Sequence, residues 1–363
     1  MSLLSIFTII ISILLYSLIS FYIGYNGWVW LKLTFFSKYK KIYSSLIVFL
    51  AISPFAGFVI PLDGIKIVSG IWMVILAYSL VLLPLANILV YFLQKKGIFL
   101  IGIAIISCFF FVFSYGSYNA WSPVVKAYDI KIDKKSDQKE VKIMMVSDLH
   151  LGSVVGKRHL DRLIDVVDSE KPDLVLLAGD IIDDNIEPYL ENKMGETMKE
   201  IKAPLGVYAV LGNHDYYGGD MTAIIEEMDK IGIQVLMDEY VDIDQHFYLA
   251  GRKEHTDQSR GKANEFLNGV DKTKPLIMMD HQPRDLDEAK ENGVDLLLSG
   301  HTHRGQLFPA NLITDRIYEN DWGYLRKGEF HSFVSSGFGT WGPPFRIGTR
   351  SEVMVINVEF VGK

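Results

Sequence analysis

Seven side chains able to donate oxygen or nitrogen to a cation fall in five short strings: Asp148 with His150, Asp180, Asn213, His281, and His301 with His303. Mixed carboxylate, amide and imidazole donors without a thiolate suit Mn, Fe, Zn or Co and argue against a calcium site. Two divalent ions held about 3.5–4 Å apart activate water toward phosphate esters. A phosphoester hydrolase with two divalent ions, of undetermined identity, is the chemistry these residue types imply. Asp180 is suited to bridge the ions, because a carboxylate has two oxygens. His214 directly follows a candidate ligand and is read as the general acid that protonates the departing alkoxide, with Asp215 to orient it. Arg304 follows the last ligand and fits a substrate phosphate as well as a structural salt bridge; Asn213 is a second candidate for substrate contact. Arg346 lies in a Gly- and Pro-rich late segment, where loop chemistry explains it better than substrate contact. His159, His246, His255 and His331 belong to no string and are assigned to structure or surface.

Each string alone is weak, since Gly-Asp after a strand is often only a turn. Their placement is what combines them. Apolar runs at Val141–Val146, Leu174–Leu177, Gly206–Leu211, Leu276–Met279, Asp295–Leu298 and Val353–Val358 read as strands covered on both faces. Helical spacing appears at Leu160, Leu163, Ile164 and Val167, and again over Met221–Ile231. Asp148, Asp180, Asn213, His281 and His301 each come one to three residues after a strand. In open α/β sheets, ligands collect beyond the carboxyl ends of strands, so distant residues would converge on one edge of a layered α/β domain with two packed sheets. Gly179, Gly212 and Gly300 would permit tight turns there.

The strings Ser-Asp-Leu-His-Leu-Gly, Gly-Asp, Gly-Asn-His-Asp and Gly-His-Thr-His-Arg-Gly-Gln resemble those of the calcineurin-like metallophosphoesterase superfamily, over roughly Val141–Val358. The resemblance implies Asp148, His150, Asp180 and His303 around a first ion, Asp180, Asn213, His281 and His301 around a second, and His214 as proton donor. The membrane-anchored bacterial branch is the nearest in outline, because hydrophobic spans precede the same domain. Gly179-Asp180-Ile181-Ile182-Asp183-Asp184 and Asp215 depart from the Ser/Thr protein phosphatase branch.

The 363-residue chain is sharply divided: residues 1 to 115 carry a net charge of +6 within a total of −7, leaving −13 for the remainder. Such acidity argues against a nucleic-acid partner. Cys108 is the only cysteine and excludes an intrachain disulfide. Leu3–Ile23, Tyr43–Ile60, Val68–Leu93 and Ile98–Tyr115 are free of Asp, Glu, Lys, Arg and His, and about 20 apolar residues cross a bilayer. A bundle of about four transmembrane helices is expected over 1–118, a connector over 119–140 ending in a solvated charge run, and the metallophosphoesterase domain over 141–363. Lysines cluster in the first and third loops, which the positive-inside preference places in the cytoplasm and the catalytic domain outside. Spans without ionisable groups read as an anchor and not a transport path. The expected function is a multi-pass, membrane-anchored phosphoesterase acting on a phosphorylated small molecule or a lipid-linked phosphate or pyrophosphate. A catalytically silent receptor or scaffold with the same fold is the alternative, although no ligand has been lost.

Overall fold

The computed structural model describes residues 3–60 and 63–362. It divides into two compact units, residues 1–115 with 342–344, and residues 116–341 with 345–363.

The first unit contains α1 (Leu3–Leu31), α2 (Lys40–Val59), α3 (Asp63–Phe92) and most of α4 (Ile98–Trp121). Among the described residues, three helical stretches are long and apolar enough to cross a membrane: Leu4–Leu31, Gly64–Phe92 and Ile98–Trp121. The fourth expected span falls on α2, which opens with Lys40 and Lys41 and so has a shorter uncharged run. Pro54 inside α2 cannot donate to the carbonyl one turn back; the Ser53 hydroxyl donates to that Leu50 carbonyl at 2.7 Å instead. The bundle interior is fixed by a polar link, in which Trp72 donates to the Tyr16 hydroxyl (2.8 Å) and Tyr16 donates to the Ala51 carbonyl (2.7 Å).

The second unit is built on twelve strands: β1 (Val124–Ile132), β2 (Glu140–Val146), β3 (Leu174–Ala178), β4 (Val207–Val210), β5 (Gln234–Val235), β6 (Glu239–Ile243), β7 (Phe247–Gly251), β8 (Leu276–Met279), β9 (Leu296–Ser299), β10 (Gly323–Lys327), β11 (Phe330–Val334) and β12 (Glu352–Phe360). They form two mixed six-stranded sheets, ordered β1-β12-β2-β3-β4-β5 and β10-β11-β9-β8-β7-β6. The helices are α5 (Lys157–Glu170), α6 (Glu187–Glu191), α7 (Met194–Met198), α8 (Asn213–Tyr217), α9 (Met221–Lys230), α10 (Ala263–Phe266), α11 (Leu286–Glu291) and α12 (Asn311–Ile317).

Three apolar clusters define the layers. Ile143, Met145, Leu176 and Ala178 of the first sheet meet Leu249, Ile277, Met279 and Leu296 of the second, so the sheets pack face to face. The outer face of the first sheet is covered by Leu160, Leu163 and Val167 of α5 with Ile224 and Met228 of α9. Ala263, Leu286 and Ala289 cover the outer face of the second. Burial on both faces explains why the central strands are continuous apolar runs.

Residues 119–140 are not a plain connector. Their middle forms β1, which pairs in parallel with β12 from Val124↔Glu352 to Ile132↔Phe360. As an edge strand it alternates half-buried and exposed positions before its last turn inward at Ile130 and Ile132, an amphipathic pattern and not an apolar run. Apart from residues 122–123, only the polar stretch after it lacks regular structure.

Candidate metal centre

β2, β3 and β4 run parallel to one another, as do β7, β8 and β9. The loops at the carboxyl ends of β2, β3, β4, β8 and β9 carry all seven candidate ligands, and the structure brings them together. Asp148, His150, Asp180, Asn213, His281 and His303 are buried. Among the described residues four groups have donor atoms within 4.8 Å of one another; two consist of candidate ligands alone, Asp148, His150 and His303, and Asp180, His281 and His301, a third joins His150 to Asp183 and His214, and the fourth, His255, Asp280 and Asp285, lies apart from the seven ligands.

In the first group, His150 Nε2 is 3.0 Å from His303 Nε2, and His303 Nε2 is 3.4 Å from Asp148 Oδ1. In the second, His281 Nδ1 donates to the Ala178 carbonyl at 2.8 Å. That bond commits Nδ1 and leaves Nε2 as the atom facing Asp180 Oδ2 at 3.2 Å; Nε2 is buried without a hydrogen-bond partner. His301 Nδ1 lies 2.8 Å from Asn213 Oδ1. Asp180 Oδ2 is also 3.6 Å from His150 Nε2, so one oxygen faces both groups. The other, Oδ1, accepts the His214 backbone N–H at 2.8 Å. Lone pairs converging in a buried space repel unless a proton or cation lies between them, and this donor set fits divalent ions with nitrogen and oxygen preference. It holds no feature that selects manganese.

The electrostatics follow from the same crowding. Burial opposes a charge on His281, but Asp180 and Asp148 more than offset it and push its pKa up to about 10. Burial favours neutral Asp180, yet the His281 and His150 imidazoles hold its carboxyl well below the usual range. His301 is pushed down to about 3 by burial and the neighbouring His281. Burial, with His150 and Arg346 close by, drives His303 far below its ordinary value.

The backbone is bent to make this possible. Asp148, His150, Asp180, His301 and His303 all have positive φ, between 46° and 71°. Asp and His tolerate this region better than most residues, and strain of this kind, on the order of 1–3 kcal/mol per residue, gathers at functional sites. Burial of a few interlayer side chains at roughly 1.5–3 kcal/mol each outweighs it. Gly179 has φ +89°, as a tight turn requires. Gly212 does not, with φ −102°; it must be glycine because a Cβ would sit 2.1 Å from Asp180 Oδ1.

Asp215 does not orient His214. Its carboxylate accepts the backbone N–H groups of Gly212 (2.8 Å), Ile182 (2.8 Å) and Ile181 (3.2 Å) and so pins two ligand loops together. Burial and nearby Asp180 push its pKa up to about 6. The residue that holds His214 is Asp184, whose Oδ1 accepts from Nδ1 at 2.6 Å. Asp183 lies 3.5 Å from His150 Nδ1. The two acids stand three and four residues after Asp180 of the Gly-Asp string, the one signal that pointed to them. The His214 ring is bordered by Tyr217 and Trp341, which sequence reasoning passed over.

Arg304 stacks on Trp322, 3.9 Å from ring centre to guanidinium carbon, and makes no salt bridge among the described residues. Arg346 is fully buried. It donates to the carbonyls of Ser336, Gly337 and Gly339 and lies 3.2 Å from His303 Nδ1, a loop-fixing role. His159 donates from Nε2 to the Phe338 carbonyl (2.9 Å), His331 lies between Tyr324 and Lys131, and His255 pairs with Asp285, all outside the site.

The family model for calcineurin-like phosphoesterases matches residues 141–305. A metallophosphoesterase of Aquifex aeolicus is 36% identical over 250 residues, covering 66% of this chain and 92% of that protein. The chain belongs to the calcineurin-like metallophosphoesterases. A Campylobacter jejuni metallophosphoesterase is 29% identical over 355 residues, 90% of this chain and 92% of its own length, so that match includes the helical part. A protein of Danio rerio described as a transmembrane protein with metallophosphoesterase domain is 31% identical over 256 residues, 66% of this chain and 58% of that protein. The family depends on two metal ions, as the clustered donors here would allow.

Proposed function

We propose that this chain is a membrane-anchored hydrolase of phosphate esters or pyrophosphates, with Asp148, His150, Asp180 and His303 holding one divalent ion and Asp180, Asn213, His281 and His301 the other. The observation that carries this is Asp180 Oδ2, placed between His150 Nε2 and the otherwise unpartnered His281 Nε2. Bound divalent ions supply Lewis acidity and an acidified water near neutral pH. His214 donates a proton from Nε2 to the leaving oxygen, because Nδ1 is committed to Asp184. Asp184 holds the ring through that bond, which makes Asp184 a positioning residue. Asp215 keeps the Asp180 and Asn213 loops in register and acts on catalysis only through them. Asn213 and Arg304 are assigned to the substrate phosphate, Arg304 from its stack on Trp322.

The helical unit anchors the domain in a multi-pass arrangement. Counting α2 as a crossing, with its 20 residues spanning about 30 Å, keeps the amino terminus and the catalytic domain on the same, extracytoplasmic side. The substrate is accordingly a phosphorylated small molecule or a lipid-linked phosphate of the envelope. Full-length protein stripped by a chelator should not hydrolyse bis(p-nitrophenyl) phosphate and should regain turnover with Mn, Fe, Zn or Co. Activity that survives stripping, or that none of these metals restores, contradicts the assignment.

A further inference from the structure

Within the helical unit, α1 and α2 leave a groove of about 590 Å³ between them. Phe21, Tyr25, Trp28 and Lys32 recur every three or four residues and so share one side of α1. Lys40, Tyr43, Ile47 and Ala51 do the same on α2. Residues 33–39 join the two helices, which puts Lys32 and Lys40 at the same end. Near that end Tyr43 donates to the Gly24 carbonyl at 2.8 Å, and Gly27 leaves room for it, since a Cβ there would lie 2.2 Å from the Tyr43 oxygen. Farther along, Tyr16 donates to the Ala51 carbonyl at 2.7 Å. The helices are thus tied together at both ends of the groove, and the protein itself fixes its walls.

The lining changes character along its length. Lys40 Nζ lies 5.9 Å from the centre of the Trp28 ring, and the Trp28 and Tyr43 rings are 5.9 Å apart between centres. Beyond this aromatic collar the walls are chiefly Phe21, Ile47, Val48 and Ile52. The serines that also line it carry no charge, and Ser17 returns its hydroxyl to the Ile13 carbonyl. From Lys32 to Phe21 the chain rises about 17 Å, close to half of a hydrocarbon core of about 30 Å. Cation, aromatic ring and hydrocarbon therefore succeed one another over the depth of one leaflet, which is the order of phosphate, glycerol and acyl chain in a phospholipid. Charge points the same way. Residues 1–115 contain seven Lys and a single acid, Asp63, which lies beyond the far end of α2. Neither Lys32 nor Lys40 forms a salt bridge among the described residues. A second copy packed in parallel here would set lysine against lysine, whereas a lipid phosphate supplies the missing negative charge.

We propose that the groove between α1 and α2 binds an anionic phospholipid, with its phosphate between Lys32 and Lys40, its glycerol against Trp28 and Tyr43, and an acyl chain along Phe21, Ile47 and Ile52. The site belongs to the helical unit alone and does not depend on the hydrolase reading. In the test, the full chain is reconstituted in phosphatidylcholine vesicles with rising fractions of acyl-brominated phosphatidylglycerol or acyl-brominated phosphatidylcholine. Bromine quenches nearby tryptophan, and the difference between the parent and Trp28→Phe isolates the share of Trp28. Half-quenching of Trp28 should need about tenfold less of the brominated phosphatidylglycerol. Lys32→Gln with Lys40→Gln should bring the two lipids together, and Lys32→Arg with Lys40→Arg should keep them apart. Lys38→Gln with Lys41→Gln, in the same basic stretch but outside the groove, should change little. Equal quenching by both lipids in the parent overturns the site without recourse to any variant. A preference removed as fully by the Lys38 and Lys41 changes also overturns it, because the attraction would then be diffuse. So does a Trp28 out of reach of both lipids in a protein of doubled mass, the sign of a second copy in the groove.

Discussion

The two sheets meet at the centre but contribute differently. Loops of the first sheet bring Asp148, His150, Asp180 and Asn213, and also His214 with its partner Asp184. Loops of the second bring only imidazoles, His281, His301 and His303. First-sheet carboxylates are tied to backbone N–H groups: Asp180 to His214, Asp148 to His301, and Asp215 to three loop residues. Second-sheet rings are aimed by single contacts, such as His281 to the Ala178 carbonyl across the sheet interface. On the proposed assignment, the first sheet combines backbone geometry, charge and proton transfer, whereas the second completes the cation cage.

If that division holds, Asp180→Asn has the largest effect. Asparagine can still accept the His214 N–H, so the fold should persist while the charge facing both groups is lost. Turnover should fall on the order of 10³-fold or more, and metal analysis should find both positions depleted. His214→Ala comes next, with a loss of about 10²-fold or more on a diester with a poor leaving group and metal content unchanged. On a p-nitrophenyl ester the loss should shrink, because that leaving group needs less protonation; equal losses on both substrates would remove the acid role. Asp184→Asn should cost about tenfold in kcat with KM unchanged, since the ring loses the carboxylate that orients it. An unchanged kcat would contradict the positioning role of Asp184.

The last prediction concerns stability and not turnover, at a residue outside this division. His159 is pushed down to about 4 by burial and by Arg162 and Arg346, against its Phe338 bond. Its folded value lies below the unfolded one of about 6.5, so the unfolded chain takes up the extra proton first. Stability should be intact above that value and fall as pH drops through it toward 4, by up to about 3 kcal/mol. Urea unfolding at pH 7 and pH 4.5 should show a smaller difference in His159→Gln than in the parent.

The convergence of the seven candidate ligands was legible because each follows an apolar strand, and strand ends fix position even when the topology is unknown. The two packed sheets were legible from runs such as Leu276–Met279, which must be covered on both faces. β1 was missed because Val124–Ile132 alternates, and its exposed lysines resemble a tether until β12 is found beside it. Asp184 was missed for a different reason. Nothing in Asp183-Asp184 says which carboxylate turns to His214; the choice depends on the backbone of Asp184, with φ 60°. Asp215 misled because adjacency in sequence was taken for contact, whereas on the short helix α8 it points back into the loop of Gly212.

Anomalous diffraction from crystals of the full chain grown with manganese would address the shared carboxylate most directly. Two peaks should appear, one among Asp148, His150 and His303 and one among Asn213, His281 and His301, both within ligand distance of Asp180. A single peak, or two that do not share Asp180, would contradict the arrangement.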